Sequence, residues 1–481
     1  MTKEGERFGP PGKSEVRRRE ILLASAASLV ADDLGWQDVG FHGSDIQTPN
    51  FDRLAETGAR FDEFYVQPMC RPTRAAPLAG RCPLRHGLQL GVIPSGGRYG
   101  LADDEFLLPR APHGAGYETA LVGKWHLGRF DRDYWPCRRG CDHFYGSLPG
   151  EIDHFTQESH GVSDWYCNNT PIEEEGYDTT LLGDEAVRLI SAQDPAKPLF
   201  LYLAFTAPHA PRQAPEAYVA RCTAVADPNR RAYAAVISAM DDQIGRVAAA
   251  LEAKATRDNS LVVFHSDNGD TRSAKFTGDS VVEGPLPPDN GTYRVGKGAL
   301  YEGSALVGAV ANWPGRSIPG HVPGMPHVVD IYPTLLGLAG ERPESDKPLD
   351  GLDVWATIST GAPSPRTEIV CNVDPLMGAV REGATKLTWL AKLPPASSCL
   401  ISRQTFTRSR ISPEKVLSWR GCRRPASRHW RKRWWNRCCS RMCSIRCCQW
   451  RRPRPRNISS IPDKSCHAHA EPAGLGERRS A

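Results

Sequence analysis

No apolar run in this chain reaches the roughly 20 residues that a membrane-spanning helix needs. The longest candidate, Ile21 to Ala31, is short and rich in alanine and serine. It follows Arg17, Arg18 and Arg19, so it reads either as the apolar part of a signal peptide or as a buried strand leading into Asp32. Cleavage after Ala26 or Ala31 would remove most of that strand, so the two readings exclude each other. Cysteine is sparse over most of the sequence. Seven of the 15 precede residue 396, namely Cys70, Cys82, Cys137, Cys141, Cys167, Cys222 and Cys371. That excludes a dense disulfide scaffold. Cys137 and Cys141 could pair with others in an oxidising compartment, and the connectivity stays open. A basic surplus is also missing from the same stretch. The net charge is +5, yet residues 396–481 hold 18 arginines and three lysines against four acids. The preceding residues therefore carry about −12, which argues against a nucleic-acid-binding core. No internal repeat is visible.

What remains is patterned as α/β. The 481 residues suffice for one large domain and a smaller one. Residues 1–20 are polar, contain Gly-Pro-Pro and read as disordered. From 21 to 345, continuous apolar runs recur and each ends in a polar cluster. Pro198–Thr206 runs into Pro208-His209, Ser260–His265 into Ser266-Asp267-Asn268, and the run ending Val30-Ala31 into Asp32-Asp33. Such runs suit central strands covered on both faces. Polar groups just beyond their carboxyl ends are where open α/β sheets place their sites. Leu181–Ala192 and Arg231–Ala253 have helical spacing, and Val328–Leu338 forms another helix entered through Asp330 and Pro333. Residues 346–395 read as the start of a smaller unit, with Glu368–Asn372 followed by Ala379–Leu390. After residue 395 the apolar period vanishes, and arginine, cysteine, tryptophan and serine dominate. Residues 396–481 read as a disordered or out-of-frame tail. Cys438, Cys439, Cys443, Cys447 and Cys448 lack paired Cys-x-x-Cys spacing, so zinc is not expected there. Its Arg/Trp mixture would bind RNA only non-specifically.

Two adjacent carboxylates, Asp32 and Asp33, stand at one strand end, and Asp267-Asn268 stand at another. Such carboxylates repel unless they meet water or a cation, and hard oxygen ligands suit Ca²⁺ or Mg²⁺. Cys70-Arg71-Pro72-Thr73-Arg74 continues to Gly80-Arg81, and Gly123-Lys124-Trp125-His126-Leu127-Gly128 is the most distinctive hexapeptide. His209 lies in Ala-Pro-His-Ala-Pro, and Lys297 lies in Val-Gly-Lys-Gly ahead of Leu300-Tyr-Glu-Gly303. Each alone has a bland reading: a helix start, a solvated turn, a surface lysine.

Together these motifs resemble the type I sulfatases, over residues from about 30 to 395. Leu349–Trp355, Ser364–Glu368, Arg138-Arg-Gly140 and His86-Gly-Leu-Gln89 look most like the arylsulfatase B group. The resemblance implies an alkaline phosphatase-like fold, with a large mixed sheet between helices and a smaller antiparallel C-terminal sheet, here incomplete. It implies that a formylglycine-generating enzyme oxidises Cys70 to formylglycine. It also implies that Asp32, Asp33, Asp267 and Asn268, with residue 70, hold one divalent cation, Ca²⁺ or Mg²⁺. Lys124, His209 and Lys297 would bind sulfate, and Arg74 would bridge the nucleophile to the metal carboxylates. His126 would act on the nucleophile's second hydroxyl, and His209 or Lys297 would protonate the leaving alcohol. The substrate would be a sulfated carbohydrate or aryl sulfate, such as an N-acetylgalactosamine 4-sulfate, in a secreted or periplasmic setting. Phosphate ester hydrolysis on the same fold and an inactive homologue with a defective C-terminus are the rival expectations. Arg71 replaces the small residue usual after the cysteine, Pro77 interrupts the following helix, and Gly303–Val307 departs from the family's stretch after the lysine.

Overall fold

The computed structural model describes residues 25–271 apart from 90 and 95, residues 288–390 apart from 375 and 376, and two short strands at 398–399 and 417–418. The chain divides into a unit of residues 1–425 and a second of residues 426–481. Residues 1–20, expected from the sequence to be disordered, and nearly all of the 396–481 tail lie outside the described residues. Within that tail, Ser398–Cys399 and Leu417–Ser418 pair antiparallel. Among the described residues no helix is long and apolar enough to cross a membrane.

Among the described residues, fifteen strands precede residue 391. Those of the large sheet are β1 (Ser25–Ala31), β2 (Ala59–Tyr65), β3 (Glu118–Gly123), β4 (His143–Gly146), β7 (Tyr166–Cys167), β8 (Thr170–Pro171), β9 (Leu199–Ala204), β10 (Ser260–Ser266), β11 (Leu306–Asn312) and β12 (Gly320–His321). A two-stranded hairpin comprises β5 (Glu158–Ser159) and β6 (Val162–Ser163), and a three-stranded sheet comprises β13 (Glu368–Asp374), β14 (Met377–Glu382) and β15 (Thr385–Leu390). The ten-stranded sheet has the order β12-β2-β11-β10-β1-β9-β3-β4-β7-β8. Its centre, β10-β1-β9-β3-β4, is parallel, and β11 joins it antiparallel beside β10.

The continuous apolar strands follow from burial of both faces. Side chains alternate across a strand, so Leu199, Leu201 and Leu203 of β9 enter one core while Phe200, Tyr202 and Ala204 enter the other. The first core is covered by the helices Asp178–Ala192 and Pro228–Ala253, and the second by Cys70–Ala79 and Ile331–Ala339. Pro228 opens its helix because its missing N–H is no loss there, and Asp227 caps the Arg230 N–H at 2.7 Å. The Val328–Leu338 segment is a short 3-10 turn, Val328–Asp330, followed by the helix Ile331–Ala339. Ala379–Leu390 is split between two paired strands by a turn at Gly383, whose φ of +56° suits glycine. Residues 25–31 form a central strand between β10 and β9, which is the strand alternative for that segment.

Strand direction decides where the site can be. Asp32-Asp33, Lys124, Thr206 and Asp267-Asn268 follow the carboxyl ends of parallel β1, β3, β9 and β10, so they emerge on one edge. Two antiparallel steps, β10 to β11 to β2, restore the same direction, so the segment from Tyr65 to Cys70 emerges there as well. Lys297 precedes antiparallel β11 and therefore lies on that edge too.

Candidate active site

Cys70 is the first residue of a ten-residue helix and is buried. Its thiol faces two carboxylates: the ligand atoms of Cys70, Asp32 and Asp267 all lie within 4.8 Å of one another. Asp32, Asp33 and His209 form an overlapping group with the same spacing. Asn268 joins it, its side-chain N–H donating to Asp33 Oδ1 at 2.6 Å. All five sequence-predicted metal ligands therefore converge.

Cations surround these carboxylates. Arg74, one turn after Cys70, places Nε 2.8 Å from Asp267 Oδ2 and Nη2 3.6 Å from Asp32 Oδ2. Lys124 Nζ bonds Asp32 Oδ2, and Lys297 Nζ lies 2.8 Å from Asp33 Oδ2. His209 Nε2 lies 3.6 Å from Asp33 Oδ2, while its Nδ1 lies 2.7 Å from the Ala210 carbonyl. That carbonyl fixes Nδ1 as the protonated nitrogen, leaving Nε2 to face the carboxylates. Burial alone would raise the Asp32 carboxyl, but Lys124, His209, Arg74 and Lys297 hold it well below the usual range. Asp33 is lowered in the same way, with Lys297 the strongest opponent of burial. Burial and the adjacent Asp32 push Asp267 up despite Arg74. Burial, aided by the Lys124 and Arg74 charges, keeps His126 neutral at pH 7. Lys297 is the reverse: Asp33 outweighs burial and holds it firmly protonated.

The backbone explains why these sequences are needed. A Cβ on Gly123 would collide with the Ala204 carbonyl, and Gly123 has a φ of +109°. Lys124 N–H bonds that same carbonyl at 2.8 Å, so the glycine lets the lysine strand end press against β9. His126 has a φ of +62° and packs against Gly150, where a Cβ would stand 2.7 Å from the imidazole ring. Pro77 lies inside the helix, and Gly80 ends that helix in the left-handed region with its N–H on Ala76 O at 2.9 Å. Ser304, in the departing Gly303–Val307 stretch, is buried and donates to the Pro68 carbonyl at 3.2 Å, which ties that stretch to the Cys70 loop.

Two orphaned oxygens test the cation. Asp32 Oδ1 and Asn268 Oδ1 are buried without a hydrogen-bond partner. Unpaired buried acceptors are costly unless something positive satisfies them. A hard divalent ion among carboxylate and amide oxygens would do so, and the donor set fits Ca²⁺ or Mg²⁺.

A cavity of about 400 Å³ is lined by Cys70, His126, His209 and Lys297, together with Arg129, Glu151 and His160. The last three carry no motif. Also unforeseen is the support behind His209: His154 Nε2 lies 3.2 Å from the His209 carbonyl, His154 Nδ1 lies 2.9 Å from Asp178 Oδ1, and Thr206 bonds Asp178.

The sulfatase family profile matches residues 28–341, which is most of the chain and contains every residue placed above. This chain belongs to the sulfatase family. It is 37% identical over 365 residues to arylsulfatase J of Mus musculus, covering 74% of this chain and 59% of that protein. It is 34% identical over 374 residues to N-acetylgalactosamine-6-sulfatase of Homo sapiens, covering 73% and 69%. The chain thus spans about three-fifths to two-thirds of these relatives. The crystal structure of Ps i-CgsB in complex with k-i-k-neocarrahexaose superposes with a TM-score of 0.70 at 30% identity, covering 76% of this chain and 84% of that one. The fold of this sulfatase family member is alkaline phosphatase-like: a ten-stranded mixed sheet flanked by helices, plus a small antiparallel sheet.

Proposed function

We propose that the protein hydrolyses sulfate monoesters of a carbohydrate, with Cys70 converted to formylglycine and one divalent cation bound by Asp32, Asp33, Asp267 and Asn268. The observation that carries this reading is the pair of orphaned oxygens, Asp32 Oδ1 and Asn268 Oδ1, beside a buried Cys70 ringed by cations. When present, the hydrated formylglycine supplies the nucleophilic hydroxyl, and the cation lowers that hydroxyl's pKa.

The chain's own groups supply the rest. Lys124 and Lys297 neutralise sulfate oxygens, and fixed positive groups help most as charge shifts toward the leaving oxygen. Lys297, which Asp33 holds protonated, gives the departing alcohol its proton, and the Ala210 carbonyl fixes the His209 ring. His126, buried and neutral, accepts the proton whose removal releases sulfate. Arg74 holds Asp267 and Asp32 in place. The family model and the named relatives support sulfate over phosphate. The arylsulfatase B-like motifs suggest an N-acetylgalactosamine 4-sulfate, while one named relative is an N-acetylgalactosamine-6-sulfatase.

The test is turnover of 4-nitrophenyl sulfate against 4-nitrophenyl phosphate by protein co-produced with a formylglycine-generating enzyme, then of 4- against 6-sulfated N-acetylgalactosamine. Sulfate release well above phosphate release is expected. Preference for the phosphate ester would reassign the site to phosphoester hydrolysis.

A further inference from the structure

Large apolar side chains are exposed at Val92, Tyr99, Phe130 and Phe155, all on segments that form or adjoin the walls of the Cys70 cavity. Apolar groups gathered at a cavity mouth mark a binding surface. Two of those segments lie side by side. The Leu101 N–H donates to the Leu127 carbonyl at 2.7 Å, and a Cβ on Gly128 would stand 2.8 Å from the Gly100 Cα. This crossing sets the Arg98 guanidinium 4.7 Å above the centroid of the Phe130 ring. Phe130 nonetheless remains 55% exposed. Arg98 is exposed as well and has no carboxylate partner among the described residues.

An aromatic ring beside an unpaired cation matches a particular ligand chemistry. The C–H face of a sugar ring stacks on an aromatic ring, and a guanidinium binds a carboxylate or sulfate through paired N–H donors. Arg129, the neighbour of Phe130, lines the cavity that leads down to Cys70. A sulfated sugar with its ester at Cys70 would extend past Arg129 toward the adjoining Phe130.

We propose that Arg98 and Phe130 form a subsite for a second, anionic sugar adjoining the sulfated one, so that the preferred substrate is an acidic oligosaccharide. The subsite rests on the sulfate ester reading of the cavity. Phe130 supplies the stacking face. Arg98 supplies the charge, for a uronate carboxylate or a second sulfate.

Calorimetric binding tests the subsite without turnover, in the full chain carrying Cys70→Ala. Three probes serve: a sulfated disaccharide with a neighbouring uronate, the same disaccharide with its carboxyl reduced to the alcohol, and one sulfated on both sugars. Arg98→Ala should weaken an anionic probe about three- to tenfold while the reduced probe changes less than about twofold. Whichever anionic probe shows the larger loss identifies the anion. Phe130→Ala should weaken all three, and Arg98→Lys should recover part of the loss. Equal affinities before and after Arg98→Ala, equal weakening of all three probes, or failure of every probe to bind would overturn the subsite. Hydrolysis of 4-nitrophenyl sulfate by the formylglycine-bearing chain reads the sulfatase assignment separately, since it needs no neighbouring sugar.

Discussion

Two clusters of buried charge differ in how completely they are satisfied. In the cluster facing the small sheet, Lys386 Nζ meets Glu302 Oε1 at 2.9 Å, Arg381 meets Glu63 at 2.8 Å, and Tyr65 bonds Arg381. No carboxylate or cation in that group leaves a buried atom unpartnered. At the sheet's carboxyl edge, Asp32 and Asn268 each keep an orphaned oxygen and His126 Nδ1 is unpartnered, although Arg74, Lys124 and Lys297 crowd the same space. Charge alone therefore marks neither a site nor a scaffold. A closed network fixes geometry, whereas an incomplete one next to a cavity is waiting for a ligand.

Substitutions should separate the two clusters. Cys70→Ala should lower sulfate ester hydrolysis by about 10⁴-fold or more, with little change in unfolding midpoint. Turnover kinetics and a thermal melt check it, and a folded variant that keeps full activity breaks the contrast. In the other cluster, Lys386 and Glu302 are each only 8% exposed. Lys386→Ala leaves that glutamate buried without its charge partner and should cost about 3 kcal/mol of stability in denaturant unfolding. Activity per folded molecule should persist. Adding Ca²⁺ to chelator-treated protein should raise stability by about 2.7 kcal/mol at a hundred times the dissociation constant. Asp32→Ala should abolish that gain and Lys386→Ala should keep it; the reverse pattern would put the cation elsewhere.

The smallest effect expected is at Glu185, remote from both clusters. Burial opposes its charge, but bonds from Arg188 and His143, each at 2.6 Å, hold its carboxyl down at about 2. A carboxyl lowered by folding stabilises above its ordinary value of about 4.3, and that stability fades as pH falls toward the folded value. Glu185→Gln should therefore flatten the pH dependence of stability between about pH 4.5 and 2. An unchanged acid profile would show that these bonds do not shift the group.

The central strands and their polar ends were readable because a strand buried on both faces needs an unbroken apolar run, and such a run stops abruptly where the chain leaves the sheet. Ser260–Ser266 ending at Asp267 is the clearest case. The short edge strands β4, β7 and β8 had no such signal, since two to four residues cannot show a period. The turn that divides Ala379–Leu390 was hidden because its strands, β14 and β15, are equally apolar. His154 and Asp178 escaped notice for a different reason. They meet across 24 residues of sequence through the fold alone, and Asp178 reads locally as an ordinary first-turn helix acid. Arg98 and Phe130, 32 positions apart, met for the same reason.

The most direct test is the ratio of sulfate released to formylglycine content at residue 70, read by mass spectrometry of the Cys70 peptide, across preparations made with graded amounts of formylglycine-generating enzyme. Turnover of 4-nitrophenyl sulfate should rise in proportion to formylglycine and vanish where residue 70 is entirely cysteine. Turnover in a preparation free of formylglycine, or none in a fully converted one, would contradict the account.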